Sequence, residues 1–163
     1  MKSVLISIRP QWCELIASGK KTIEVRKTAP KLETPFKVYV YQTKHKGKSI
    51  VSEALNTVYG GGKVIGEFVC DRIREIIPLG LRGFKLGAEW LKEMCLSKEQ
   101  LDEYGGLKTL YSWHITEPKL FDKPKELGEF RKVCLNGKCS DCIYEECKII
   151  RPPQSWQYVE KLQ

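Results

Sequence analysis

Two apolar rhythms alternate along the chain. "SVLISI" (Ser3–Ile8) is almost continuously apolar and predicts a buried strand. Pro10 then opens a short helix, at a position where its missing N–H costs nothing. Trp12, Leu15 and Ile16 fall on one face of that helix, and Gly19 ends it by accepting a left-handed backbone. "TIEVR" (Thr22–Arg26) alternates strictly, as a half-buried strand does. "APKLETP" reads as a proline-rich loop. "FKVYVYQT" (Phe36–Thr43) alternates again, with Val38 and Val40 on one face and Tyr39 and Tyr41 on the other.

A basic, glycine-ending stretch from Lys44 to Gly62 predicts a loop, and "KVIGEFVCDRIREI" (Lys63–Ile76) gives the longest strand signal. Leu86, Trp90, Leu91 and Met94 share a helical face. Ser97 and Gln100 form a capping box for a further helix, "KEQLDEY", which Gly105 and Gly106 stop. "LKTLYSWHITEPKLF" (Leu107–Phe121) returns to strand. Near the end of the chain, "RPPQSW" reads as an extended segment stiffened by two prolines and pinned by Trp156, which either packs back on the barrel or closes one side of a cleft. Strands predominate and no βαβ rhythm repeats. The expectation is an α+β fold: a small, mostly antiparallel β-barrel with flanking helices over residues 1–130, and a Cys-rich tail over residues 131–163.

Composition narrows the partners. The chain has 163 residues, 42% of them hydrophobic and 29% charged, enough for one domain with a real core. No apolar run approaches the roughly 20 residues of a membrane helix, and the N-terminus lacks a small-residue cleavage site, so a cytoplasmic protein with no membrane partner is expected. The formal charge is +8. Such a surplus favours polyanions, because neutralising phosphates releases condensed counterions; the alternative is that the charge serves solubility alone.

The chemistry concentrates in "GKKTIEVRK" (Gly19–Lys27). Ile23 and Val25 point into the core, while Thr22, Glu24 and Arg26 point the other way and Lys21 sits at the turn. A lysine, an acid and an arginine are thereby gathered where a helix hands over to a strand. They form either a surface salt-bridge ladder of small energetic value or the wall of a pocket.

Gly19, Lys21, Glu24 and Arg26 fill the G-x-K-x-x-E-x-R pattern, and the chain resembles ASCH domains of the PUA-like superfamily. "GKVIGEFVCDRI" and "LYSWHITEPKLFDKPKEL" resemble two further strands of that family, so the likeness covers roughly residues 2 to 130. The resemblance implies a small PUA-like barrel with a cleft beside the first helix, binding RNA or a modified nucleoside. Ligand-binding residues would be Lys21, Thr22, Glu24, Arg26, Glu67 and Tyr41, with Tyr39, Tyr111 and Trp113 as further stacking surfaces.

A second implied activity is amide hydrolysis of N4-acetylcytidine, for which Lys21 and Glu24 would be catalytic. There the chain departs from the pattern. The family threonine falls on Glu24, Thr22 lies on the wrong face, and the third residue, an acid, has only Glu89 as a candidate. A carboxylate beside the lysine also stabilises the ammonium, the wrong form for a base. Nuclease activity is another suggestion in the wider family, and a protein-interaction module is the remaining alternative.

Glu67 shares a face with Ile65 and Val69 and is either a pocket acid or a strand-end acid paired with a lysine; Gly66 beside it would allow close approach of a ligand or strand. His45 and His114 have no partner at a recognisable spacing, and His114 reads as structural. Cys13, Cys70 and Cys95 fall on apolar faces and read as small buried hydrophobes. Cys134, Cys139, Cys142 and Cys147 give C-x4-C-x2-C-x4-C, which suits a structural Zn2+ held by four thiolates, with iron–sulfur or no metal as competitors.

Overall fold

The structure, a computed structural model, describes residues 2–44, 61–133 and 147–162. In chain order the elements are β1 (Lys2–Ile8), α1 (Pro10–Ala17), β2 (Ile23–Arg26), β3 (Phe36–Gln42), β4 (Lys63–Ile76), α2 (Ala88–Met94), α3 (Lys98–Gly105), β5 (Leu110–Lys125) and β6 (Trp156–Glu160). The fold is mixed α+β, and each predicted strand and helix is present. Most of the predicted 44–62 loop, including His45, lies outside the described residues. No helix among the described residues is long and apolar enough to cross a membrane.

Local chemistry explains the boundaries. Pro10 occupies the first turn of α1, and Gly19 follows its end at φ 72°. The Ser97 hydroxyl accepts from the Gln100 N–H, and the Gln100 side chain accepts from the Ser97 N–H, completing the capping box at α3.

The expected closed barrel does not form. Among the described residues, six strands make one sheet in the order β2-β5-β4-β3-β1-β6, with β2 and β6 as its edges. Four pairings are antiparallel, but β1 and β3 run parallel. The sheet curls until its edges approach, and side chains span the seam where a backbone ladder would be. Arg26 Nη2 donates to the Ser7 carbonyl at 2.7 Å, Arg26 Nη1 reaches Ser155 Oγ at 3.4 Å, and the Trp156 indole donates to Thr28 Oγ1 at 3.0 Å. The four-residue β2 places the charged side chains of Glu24 and Arg26 at this gap.

Among the described residues, three apolar clusters build the core. One joins β1, β3, β4 and β5 to Cys13 and Ile16 of α1. A second, around Leu5, Tyr39, Tyr41 and Phe130, includes Val159 of β6. The third packs Ile23 and Val25 of β2 against Met94, Leu101 and Phe84. The predicted faces of β2 and β3 are therefore correct: Val38 and Val40 belong to the first cluster, Tyr39 and Tyr41 to the second.

In β4 the alternation breaks. Ile65 joins Phe68 and Cys70 in the first cluster, so it does not continue the face of Glu67 and Val69 as expected. The register shifts between Val64 and Gly66 in the pairing with β5, a bulge of the kind that turns side chains to the other face. Gly66 permits it, because a Cβ there would collide with the Lys119 carbonyl oxygen.

Candidate functional site

The seam between β2 and β1 opens into a cleft of about 450 Å³. Its floor is β2. Its walls are the end of β1 and the start of α1 (Ser7, Ile8, Arg9, Trp12), one side of α3 (Gln100, Tyr104), and Gln154 and Ser155 of the C-terminal segment. That segment is tied to β1: the Ser7 hydroxyl donates to the Pro153 carbonyl at 2.6 Å, and the Ser7 N–H to the Ser155 carbonyl at 2.9 Å. Of the two expected placements, Gln154 and Ser155 lining the cleft correspond to closing one of its sides.

Lys21, Glu24 and Arg26 come together on the floor, exposed by only 3%, 6% and 9%. The Lys21 ammonium donates to the Met94 carbonyl at 2.5 Å, lies 3.6 Å from Glu24 Oε2, and sits 5.1 Å from the centre of the Trp12 ring. Glu24 Oε1 is 2.9 Å from Arg26 Nη2. The turn that delivers Lys21 is held by its own N–H donating to the Leu15 carbonyl, and by the Thr22 N–H donating to Glu93 at the end of α2. This is a buried, hydrogen-bonded charge set and not a surface ladder. Each ion has lost water, which is costly unless partners replace it. Glu24 still has acceptor capacity, since a carboxylate offers about four lone-pair positions.

The other sequence candidates lie elsewhere. Thr22 and Tyr41 do not line the cleft: Thr22 accepts from the Ile115 N–H through its carbonyl, and Tyr41 is in the second core cluster. Glu67 lies within β4 and not at a strand end; it lines a separate small hollow with Cys13 and Gly66 and pairs with Lys37 at 2.5 Å, so it has the expected lysine partner without the expected strand-end position. Tyr39 is buried, its hydroxyl accepting from the Leu162 N–H. Trp113 is fully buried, and Tyr111 lines a different surface hollow. Glu89 is exposed in the first turn of α2 and does not line the cleft. His114 Nδ1 meets Asp71 Oδ1 at 2.6 Å, a partner that its spacing in the sequence did not reveal.

The aromatic walls are instead Trp12 and Tyr104. The sequence places Trp12 on the helix's apolar face, and Tyr104 carries no signal beyond its place in "KEQLDEY". Burial pushes the Tyr104 phenol up, with the Arg26 guanidinium opposing that rise and the Glu24 carboxylate adding to it. Lys27 lies over the Tyr104 ring at 4.8 Å.

Of the four proposed thiolate ligands, Cys134, Cys139 and Cys142 lie outside the described residues, while the Cys147 carbonyl accepts from the Lys132 N–H. Among the described residues no group of three or more His, Cys, Asp or Glu is placed to hold a metal ion.

The ASCH domain family model matches residues 6–125, most of the chain and all of the cleft floor. The chain belongs to the ASCH domain family. Among solved structures it is similar to the ASCH protein of Zymomonas mobilis, at 20% identity and a TM-score of 0.62, covering 98% of this chain and 88% of that one. Two substituted forms of the Zymomonas mobilis protein are also similar: a serine-to-alanine form with TM-score 0.59 at 19% identity, covering 98% and 89%, and a tyrosine-to-phenylalanine form with TM-score 0.58 at 20% identity, covering 99% and 92%. At this identity the likeness concerns the fold. No curated protein matched the chain.

Proposed function

We propose that the seam cleft binds an unpaired or modified nucleobase, presented by RNA or as a nucleoside. The observation that carries this reading is the buried Lys21–Glu24–Arg26 set on the floor of a 450 Å³ cleft walled by Trp12 and Tyr104. The volume falls within the range of small-molecule sites, roughly 300–1,000 Å³. Glu24 supplies an acceptor for an exocyclic amine, Lys21 supplies a donor for a ring carbonyl, and the two aromatic rings supply stacking faces. A base is the ligand that uses all three. A protein-interaction surface has no need of ions buried in a hollow, because desolvated charges are costly unless a partner engages them. The ASCH family's association with RNA and the +8 formal charge agree with the reading.

Binding fits better than amide hydrolysis. Lys21 makes the contacts of an ammonium ion, with the Met94 carbonyl and the Glu24 carboxylate. Neither Thr22 nor Glu89 lines the cleft to complete a catalytic set. The test is fluorescence anisotropy with a labelled single-stranded RNA, comparing the protein with its Trp12→Ala variant. Binding that weakens in the variant supports the reading; equal binding by both, or no binding of the RNA and of each of the four nucleosides, removes it. Incubation with N4-acetylcytidine, followed by chromatography, should return the nucleoside intact, and release of cytidine would shift the assignment to hydrolysis.

A further inference from the structure

The charges lining the cleft do not balance. Among the described residues that line it, Arg9, Lys21 and Arg26 are cationic and Glu24 alone is anionic. Glu24 lies 2.9 Å from Arg26 and 3.6 Å from Lys21, so the floor has one carboxylate between two cations. Arg9 adds a third cation at a different depth. It is exposed, at the mouth, where its carbonyl accepts the Trp12 and Cys13 N–H groups and α1 begins. The partial positive charge of a helix N-terminus acts in the same direction. Thr43, Gln154 and Ser155 add hydroxyl and amide groups along the walls.

A neutral base against this lining leaves the positive surplus uncompensated. A phosphate one sugar away from the base compensates it, and arginine is well suited to phosphate because its planar fork matches the oxygens. We propose that the occupant is a nucleotide and not a free nucleoside. Its base lies over Lys21 and Glu24 between Trp12 and Tyr104, and its phosphate lies at the mouth against Arg9. This rests on the nucleobase reading of the cleft. The same phosphate chemistry is offered by a mononucleotide and by a phosphodiester within an RNA chain.

Titration calorimetry separates the cases. The probes are adenosine, cytidine, guanosine and uridine, each beside its 5′- and 3′-monophosphate, and single-stranded RNA hexamers of each base. For the base that binds best, a phosphorylated probe should bind about tenfold tighter than the nucleoside, the effect of one charge-assisted contact. Arg9→Gln should erase that difference. Arg9 is exposed and makes no side-chain cap for α1, so the variant is expected to fold.

A preference for monophosphates, lost in Arg9→Gln, assigns a free or terminal phosphate. A preference shown only by hexamers, and likewise lost, assigns a chain phosphodiester. Nucleosides binding as tightly as every phosphorylated probe, or a preference that survives Arg9→Gln, overturns the proposal. If no base-bearing probe binds, the nucleobase reading fails, and titration with inorganic phosphate still decides the anion site. Saturable NMR shifts of the Arg9 amide and Trp12 indole, absent from Arg9→Gln, keep it; unmoved signals remove it.

Discussion

Arg26 Nη2 lies 2.9 Å from Glu24 Oε1, two residues back on the same face of β2, and both side chains are buried. Strand alternation puts the two on one face. The curled sheet then folds the Ser7 carbonyl and Ser155 over the guanidinium, at 2.7 and 3.4 Å. One arginine therefore ties the floor of the cleft to both the first strand and the C-terminal segment.

Removing the acid should expose the cost of that burial. Glu24→Gln keeps the shape but leaves Lys21 and Arg26 without their carboxylate. Breaking one partner out of a buried ion pair typically costs about 3 kcal/mol or more. Denaturant unfolding should show a loss of that size with an unchanged slope. A loss below about 1 kcal/mol, typical of exposed pairs, would mean that these ions are solvated.

Tyr104→Ala should separate binding from folding. The ring is 39% exposed, so its loss should change stability little. If it stacks on a base, binding should weaken by about 1–3 kcal/mol, roughly 5- to 150-fold. Anisotropy of a labelled RNA checks the first quantity and thermal unfolding the second. An affinity unchanged from the parent would take Tyr104 out of the binding wall.

Gly66→Ala should destabilise the sheet. The added methyl meets the backbone carbonyl of Lys119, which cannot swing aside as a flexible side chain does. Overpacking of this kind costs about 1–3 kcal/mol, measurable by chemical denaturation. A neutral effect would show that the bulge between Val64 and Gly66 yields easily.

Alkaline pH should unfold the protein partly through its buried thiols. Burial pushes Cys70 up from 9.0 to about 12 and Cys13 upward as well. The folded state holds these protons more tightly than the unfolded chain. Stability from this source is therefore complete below pH 9 and lost as pH rises toward 12. Cys70 alone should contribute a slope of about 1.4 kcal/mol per pH unit in that window. Urea midpoints across the range, compared with Cys70→Ala, isolate it; parallel curves would show that Cys70 titrates normally.

The floor of the cleft was legible because it is local. Gly19, Lys21, Glu24 and Arg26 lie within eight residues, and helix-end and strand-alternation rules place them without knowledge of the rest. The walls were not. Tyr104 arrives from α3 and Ser155 from the other end of the chain, and only tertiary folding brings them near Lys21. Tyr41 and Trp113 were plausible stacking rings on composition, but strand pairing buries them in the core. Glu67 looked anomalous among aliphatic neighbours until β3 paired with β4 and set Lys37 beside it. Barrel closure is not what forms, because strand count alone does not show whether the two edge strands, β2 and β6, pair with each other.

The zinc expectation for Cys134, Cys139, Cys142 and Cys147 stands as a proposal with its own check. Elemental analysis after purification under reducing conditions should find about one zinc per chain, as a four-thiolate site requires. Absence of metal would remove it.

The most direct test of the cleft is NMR mapping with a short single-stranded RNA. The account predicts saturable shifts centred on the Trp12 indole and the amides of Arg9, Glu24, Arg26 and Tyr104, weakening steeply as salt rises. Shifts confined to residues remote from the seam between β1 and β2, or no shifts at all, would contradict it.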